Sequence, residues 1–483
     1  MKRRDFLKGG VASMTLVSVA HSGESRTQRP NILWLFTDEQ RTDSLGCYGS
    51  PWAHTPALDR LAAEGVVFAN AVTPAPVCAP ARISMLTGQR CAQTGIWYNM
   101  TGDRPRVECL TSLFEQAGYR TAGLGRNHWC CSNPPFQTHW TKHLSKHVGH
   151  FNYAEEYDEA AFDVVKYPGE PYHWIFGGRY PADPSETSEW ECVERGKQWL
   201  EQGPRDRPFF LRLAFNAPHT PVSTPVPFDT LIPEDAIRFL AETEAPSPAE
   251  PDWITTHLRK SADARLLTPE QIRKMRRYYY GLVAFVDKLI GDLLSWMKAR
   301  GYLENTIIVF NADHGTHLGD FGLVQKQTFF EPAVTVPYLF WWPEGFAQGK
   351  TLKTPVETRS LIPTLLDAAG LDMPADVQDA SLAPCLRAGV EPDMRPVYSM
   401  FTLQSFPELE HRDPLVMVRD GSYKLSARFG PNPCDVVLVD LAEDPYEREN
   451  RAAWPEYVAT TKQLLALAQG QMRNARGQSA SNT

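Results

Sequence analysis

Carboxylates, imidazoles and basic groups fall repeatedly at the ends of short apolar runs in this chain, and their types indicate chemistry. Asp38-Glu39 follows the run at 31–36, and Asp313-His314 follows the run at 306–310. Oxygen-rich run ends with one imidazole suit a hard divalent cation, Ca²⁺ more readily than Zn²⁺. Arg126 and His128 follow the run at 121–124, His219 follows the run at 209–215, and Lys326 and Glu331 come shortly after Asp313-His314. Cys78 stands immediately before a predicted helix over 79–87. The unpaired N–H groups and partial positive charge of a helix start favour a bound anion. Arg82, one turn in, is within reach of a neighbouring carboxylate or of the side chain at 78. Taken singly, each residue has a plain structural explanation: a capping aspartate, a small buried thiol, an incidental histidine or lysine. Their convergence on one rim is what points to a site.

The elements that must position them alternate between strand and helix. Predicted strands at 31–36, 66–69, 121–124, 209–215 and 306–310 are separated by predicted helices at 58–64, 110–117 and 189–201. A long helix from the capping signal Thr268-Pro269-Glu270-Gln271 to a stop at Gly301 precedes the last of these strands. This is an α/β pattern with a mostly parallel sheet flanked by helices, whose ligands bind at the carboxyl ends of the strands. After Pro343 the chain becomes rich in Gly and Pro and carries one helix at 359–369. Short strands at 397–401, 415–418, 423–427 and 436–439, closed by a helix at 457–472, predict a smaller antiparallel α+β subdomain. The expected organisation is a leader at 1–28, a large domain at 29–392 and a subdomain at 393–483.

Composition narrows the function classes. A hydrophobic content of 42% with 11% aromatics supplies an ample core, and no apolar stretch of membrane-spanning length appears, so a soluble globular protein without stable membrane insertion is expected. A formal net charge of −8 argues against nucleic acid, so an anionic substrate requires a local basic pocket. The first residues, Met1-Lys2-Arg3-Arg4-Asp5-Phe6-Leu7-Lys8, precede a modest apolar stretch at 11–20. This predicts a twin-arginine export signal cleaved near Ala20, passage of the folded protein through the twin-arginine machinery and a periplasmic or exported destination. The nine cysteines are not expected to form four disulfides in a chain of this size, and Cys130-Cys131 has no metal-finger spacing. The group Lys142, His143, Lys146, His147 and His150 reads as a solvated face.

Three fixed residues in five, Cys78-x-Pro80-x-Arg82, complete the pattern, because they form the signal that a maturing enzyme reads when it oxidises a cysteine to formylglycine. From about Arg29 to its end the chain resembles the formylglycine-dependent sulfatases of the alkaline phosphatase superfamily. The resemblance rests on 31–38, Cys78-x-Pro80-x-Arg82, Gly125-Arg126-Asn127-His128, Pro218-His219-Thr220-Pro221, Asp313-His314-Gly315, Lys326 with Phe330-Glu331, and 438–445, in that order. It implies an alkaline phosphatase-like fold and hydrolysis of a sulfate ester on a carbohydrate. It further implies a formylglycine-generating or anaerobic maturase partner, and a cation held by Asp38, Glu39, Cys78, Asp313 and His314, with Mg²⁺ or Mn²⁺ as alternatives to Ca²⁺. Arg82, Arg126, His128, His219 and Lys326 are the implied catalytic groups. His219 or Lys326 would protonate the leaving alcohol, and His128 would help the second hydroxyl of the hydrated aldehyde to expel sulfate. Two departures stand out: the family often has Asp-Asp where Asp38-Glu39 occurs, and lysine where Arg126 occurs. The rival readings are a phosphodiesterase or phosphonate monoester hydrolase of the same superfamily, and a non-catalytic binder of sulfated glycans. Selectivity is expected in 133–178, 222–264 and 402–413, with Trp140, Tyr172 and Trp174 as candidate sugar-stacking groups.

Overall fold

The computed structural model describes residues 29–100, 104–142, 163, 165–166, 175–180, 182–239, 258–259, 263–375, 377, 380–403 and 413–479. The expected leader at 1–28, His143, Lys146, His147, His150, Tyr172 and Trp174 lie outside the described residues, as do parts of the three predicted selectivity segments. No helix among the described residues is long and apolar enough to cross a membrane.

The elements that build the site are, in chain order, β1 (Asn31–Thr37), α1 (Pro56–Glu64), β2 (Val66–Phe68), α2 (Cys78–Thr87), β3 (Arg120–Gly125), β4 (Thr138–Thr141), α3 (Ser188–Glu201), β5 (Phe209–Ala214), α4 (Pro269–Ala299), β6 (Thr306–Ala312), β7 (Tyr338–Trp341), β8 (Lys350–Leu352) and α5 (Leu361–Ala368). Eight strands form one sheet in the order β8-β2-β7-β6-β1-β5-β3-β4. The run from β6 to β4 is parallel throughout, whereas β7 is antiparallel to both β6 and β2. The sheet is therefore mostly parallel, as the alternation of elements predicts.

Strands buried on both faces must be apolar on both faces, and β1 obeys this along Ile32 to Phe36. Ile32, Trp34 and Phe36 pack with residues of α2 and α5, while Leu33 and Leu35 pack with α1, α3 and the long helix α4. Thr268 begins α4 with a reciprocal box: its hydroxyl accepts from Gln271 N, and Gln271 Oε1 accepts from Thr268 N.

The chain ends in β9 (Val397–Phe401), β10 (Leu415–Asp420), β11 (Tyr423–Phe429), β12 (Pro433–Asp440) and α6 (Val458–Ser479). The four strands form an antiparallel sheet in sequence order. Val416, Val418, Leu425 and Leu438 from this sheet join the same apolar cluster as α2 and α5. The small sheet thus covers the face of the large one that carries α2.

Candidate active site

Four neighbouring parallel strands deliver their last residues to one place. Thr37 of β1 lies opposite Ala312 of β6, so Asp38 and Asp313 leave the sheet side by side. Asp313 Oδ1 accepts from Glu39 N at 3.0 Å and from His314 N at 2.9 Å, which locks the two strand ends together. On the other side, β5 ends toward Asn216 and His219, and β3 ends at Gly125 opposite Ala214. Gly125 adopts φ +98°, and a Cβ there would lie 2.0 Å from Ala214 O, so only glycine permits this turn. Beyond it Arg126 N donates to Ala214 O at 2.7 Å and the Arg126 side chain swings toward β1.

Helix α2 begins at Cys78 itself, one residue earlier than predicted. Ala79 N donates to Asn99 Oδ1 at 2.9 Å, so the helix start is capped from a distant loop. Cys78 is only 1% exposed. Its sulfur lies 3.2 Å from His314 Nε2 and 3.8 Å from Asp38 Oδ1. His314 Nδ1 sits 2.9 Å from Gly315 O, and because a carbonyl only accepts, Nδ1 carries the proton and Nε2 faces the cysteine.

Arg82, also 1% exposed, fastens the two aspartates. Its Nη2 donates to Asp38 Oδ2 at 2.5 Å and to Asp313 Oδ2 at 2.9 Å, and its Nε donates to Asp313 Oδ2 at 3.0 Å. Its Nη1 donates to the carbonyls of Arg126 at 2.6 Å and Asn127 at 3.1 Å, which ties the β3 loop to α2. The same fork that neutralises the carboxylates therefore positions the basic loop. Arg126 Nε lies 2.7 Å from Asp38 Oδ2, and Arg126 also donates to Asn216 Oδ1.

Glu39 occupies a different niche. Its backbone has φ +67°, uncommon for a residue with a Cβ and concentrated at functional sites. Glu39 Oε2 accepts from Lys326 Nζ at 3.2 Å and lies 3.4 Å from His219 Nε2, whereas Oε1 is buried with no hydrogen-bond partner. His128, at φ +40°, completes the ring with side-chain hydrogen bonds to Cys78 and Cys130.

Charge in this volume is strongly coupled. Burial alone would raise the Cys78 thiol, but Lys326, His314 and hydrogen bonds from His128 and His219 bring it well below the ordinary thiol range. Burial likewise opposes ionisation of Asp38, yet Arg126 and Arg82 hold its carboxyl below the usual range. Asp313 is pushed up by burial and by neighbouring Asp38. His314 is raised to about 9 because Asp313 and Cys78 outweigh its burial. His128 is raised to about 8, again against burial, by hydrogen bonds to Cys130 and Cys78. The environment thus stabilises an anion at position 78 and cations around it.

Two groupings have metal-ligand geometry. One ligand atom each from Asp38, Cys78, Asp313 and His314 lie within 4.8 Å of one another, and Asp38, Glu39 and His219 form a second, overlapping group. Two aspartate carboxylates, one imidazole and the orphaned Glu39 Oε1 fit a hard divalent cation. Asp38, Glu39, Cys78, Arg82, Arg126, His128, His219, Asp313, His314 and Lys326 are brought to this one rim, with the Glu39 carboxylate beside Lys326 and His219, whereas Glu331 is not and pairs instead with Arg419 and Lys424. Asn99 was not expected: it lies in no apolar run end, and only its through-space bond to Ala79 reveals it. Arg212 of β5 is likewise hidden in an apolar run. It is buried with its guanidinium 4.7 Å from the Trp34 ring and 4.5 Å from the Phe36 ring, and it donates to Asn127 Oδ1 at 3.0 Å. Trp140, a candidate stacking residue, is covered by the Arg195 guanidinium at 4.4 Å.

Residues 30–371 match the family model described as Sulfatase, and residues 319–474 match one described as N-sulphoglucosamine sulphohydrolase, C-terminal. The chain is 25% identical to an N-acetylglucosamine-6-O-sulfatase of Bacteroides thetaiotaomicron, over 95% of this chain and 88% of that one. It is 29% identical to an ulvan-active sulfatase of Formosa agariphila, over 94% and 84%. In fold it resembles a phosphonate monoester hydrolase of Agrobacterium radiobacter, with a TM-score of 0.75 and 23% identity over 93% of this chain and 96% of that one.

Proposed function

The chain belongs to the sulfatase family and is a sulfuric ester hydrolase, and from that premise we propose that it removes sulfate from a carbohydrate by means of a formylglycine made from Cys78. The observation that carries this is the setting of Cys78: its buried sulfur is 3.2 Å from His314 Nε2, and His314, Lys326, His128 and His219 together draw its thiol well below the ordinary range. A structural thiol has no use for such an electropositive cage, whereas a nucleophile and a bound sulfate both do. Sulfated carbohydrate as the substrate class is supported by the names of the two curated relatives, which are sulfatases of an amino sugar and of ulvan. Those names do not favour the phosphonate reading.

Asp38, Cys78, Asp313 and His314 would hold the cation, Ca²⁺ by donor chemistry, with Glu39 Oε1 available beside them. Bound there, the cation would supply positive charge to a sulfate oxygen. The chain's own groups do the rest. The hydrated aldehyde at 78 offers two hydroxyls on one carbon, one to attack sulfur in line and one to release sulfate. Arg126, Lys326 and His219 hold the charge that spreads over the sulfate oxygens, and His219 or Lys326 gives a proton to the departing alcohol. His128, hydrogen-bonded to position 78, accepts the proton of the second hydroxyl. Arg82 keeps Asp38 and Asp313 in place. In this reading residues 29–392 form the catalytic domain and 393–483 a covering subdomain. The twin arginine at Arg3-Arg4 directs the folded, already oxidised protein to the periplasm.

Intact mass of the peptide containing residue 78 tests the proposal, because formylglycine is about 18 Da lighter than cysteine. Active enzyme that carries only the thiol would overturn it. Sulfate release from a panel of sulfated algal and animal glycans, compared with phosphonate monoesters, tests the substrate class.

A further inference from the structure

Two cysteines outside the sulfate site stand at the base of the loop that carries Arg126 and His128. Cys109 precedes the short helix at Thr111–Gln116, and Cys131 follows that basic loop. Both are buried, at 4% and 5% exposure. The segments that hold them are interlocked: Ser132 N donates to Pro105 O at 3.1 Å, Val107 N donates to Asn133 Oδ1 at 3.1 Å, and Asn133 Nδ2 donates to Val107 O at 2.7 Å. In this register each thiol faces a carbonyl of the interlocked pair, Cys109 Sγ 3.8 Å from Val107 O and Cys131 Sγ 3.0 Å from Asn133 O, and the two thiols also interact with each other. Cys91, Cys192, Cys385 and Cys434 also face backbone carbonyls, those of Met400, Leu124, Leu382 and Arg428, but their charge environments are set by groups other than cysteine.

We propose that Cys109 and Cys131 form a disulfide when the protein meets a disulfide-bearing oxidant, closing residues 110–130 into a ring that contains β3, Arg126 and His128. The Cys131 thiolate attacks one sulfur of the oxidant and expels the other as a thiol. Cys109 then attacks the Cys131 sulfur of the mixed disulfide and expels the oxidant's second sulfur. Two S–H bonds are lost and one S–S bond is gained, while two electrons and two protons pass to the oxidant, which leaves as two thiols. The order of attack follows the surroundings. The hydrogen bond from Cys109 brings the Cys131 thiol below the ordinary range despite its burial, with help from the Asn133 backbone and Arg104. The same bond, reinforced by burial, holds the Cys109 thiol far above it.

The test incubates the full-length protein with oxidised glutathione, quenches it in acid, alkylates it unfolded and maps its peptides. The expected product is about 2 Da lighter and joins 109 to 131, with the remaining thiols alkylated. Cys109→Ser should abolish that mass change. A repeat just below the urea midpoint, where local opening is frequent, separates slow access from absence. Free thiols at both positions under both conditions overturn the proposal. So does a cross-link through Cys130, or a glutathione adduct that persists on Cys131.

Discussion

Two buried clusters of charge divide the labour in this molecule. One is the candidate active site around Cys78. The other joins the large sheet to the small one: Lys424 of β11 donates to Phe329 O at 2.8 Å and to Glu331 Oε1 at 2.9 Å and also pairs with Glu447. Around it Arg419 lies 3.2 Å from Glu331 Oε2, and Glu331 N donates to Glu447 Oε2 at 2.7 Å. Both clusters mix carboxylates with cations. In the junction Glu331 has partners on both oxygens, two of them charged. At the candidate active site Glu39 Oε1 has none, and the surrounding cations favour an anion at Cys78. The difference separates a cluster that fastens from a cluster that waits for a ligand.

Substitutions should split along that line. Cys78→Ala is expected to lower kcat by about 10⁴-fold or more while leaving the urea midpoint nearly unchanged; retained turnover would remove Cys78 from the chemistry. Lys326→Ala should cost about 10²–10³ in kcat, through loss of one preorganised charge, with the circular dichroism spectrum preserved. Lys424→Met should do the reverse. It strands Glu331 and Glu447 and should destabilise by about 3–5 kcal/mol, with kcat unchanged in the fraction that remains folded. Equal losses of activity and stability in any of these variants would break the distinction.

A smaller effect follows from pH. Despite burial, Lys424 and Arg419 bring the Glu331 carboxyl down to about 2 from an ordinary 4.5. A depressed acid stabilises the native state fully above its unfolded pKa, and that contribution is lost as pH falls from about 4.5 toward 2. Urea midpoints at pH 5 and pH 3 should therefore differ less in Glu331→Gln than in the wild type. Smallest of all, Arg106→Ala should leave the midpoint unmoved, because the Arg106–Glu108 pair is 74% and 77% exposed.

The strand ends were legible from the sequence because each combines an apolar run with an abrupt change to polar residues, as at Asp38 and Asp313. The alternation with helices then fixes which end of the sheet they share. Boundaries shifted where polar residues remain inside a strand: β6 runs on through Asn311, whose Oδ1 is buried and accepts from Trp34 Nε1 at 2.7 Å. The antiparallel insertion of β7 between β6 and β2 carries no local signal, since strand direction depends on the path of the chain. Asn99 and Arg212 were illegible for the same reason. Their roles come from neighbours 20 and 85 residues away, and no spacing rule spans such distances.

The burial of Cys78 also acts as a clock. A side chain with 1% of its surface exposed, at the first residue of α2 and 3.2 Å from His314, is closed to another enzyme's active site once the sheet has assembled. Any oxidation of residue 78 by a maturase belongs to the interval between synthesis and folding. If activity requires the proposed formylglycine, a chain that folds before it is oxidised is committed to remaining a thiol, and the activity of a preparation reports a race between two rates and not only the quality of the fold.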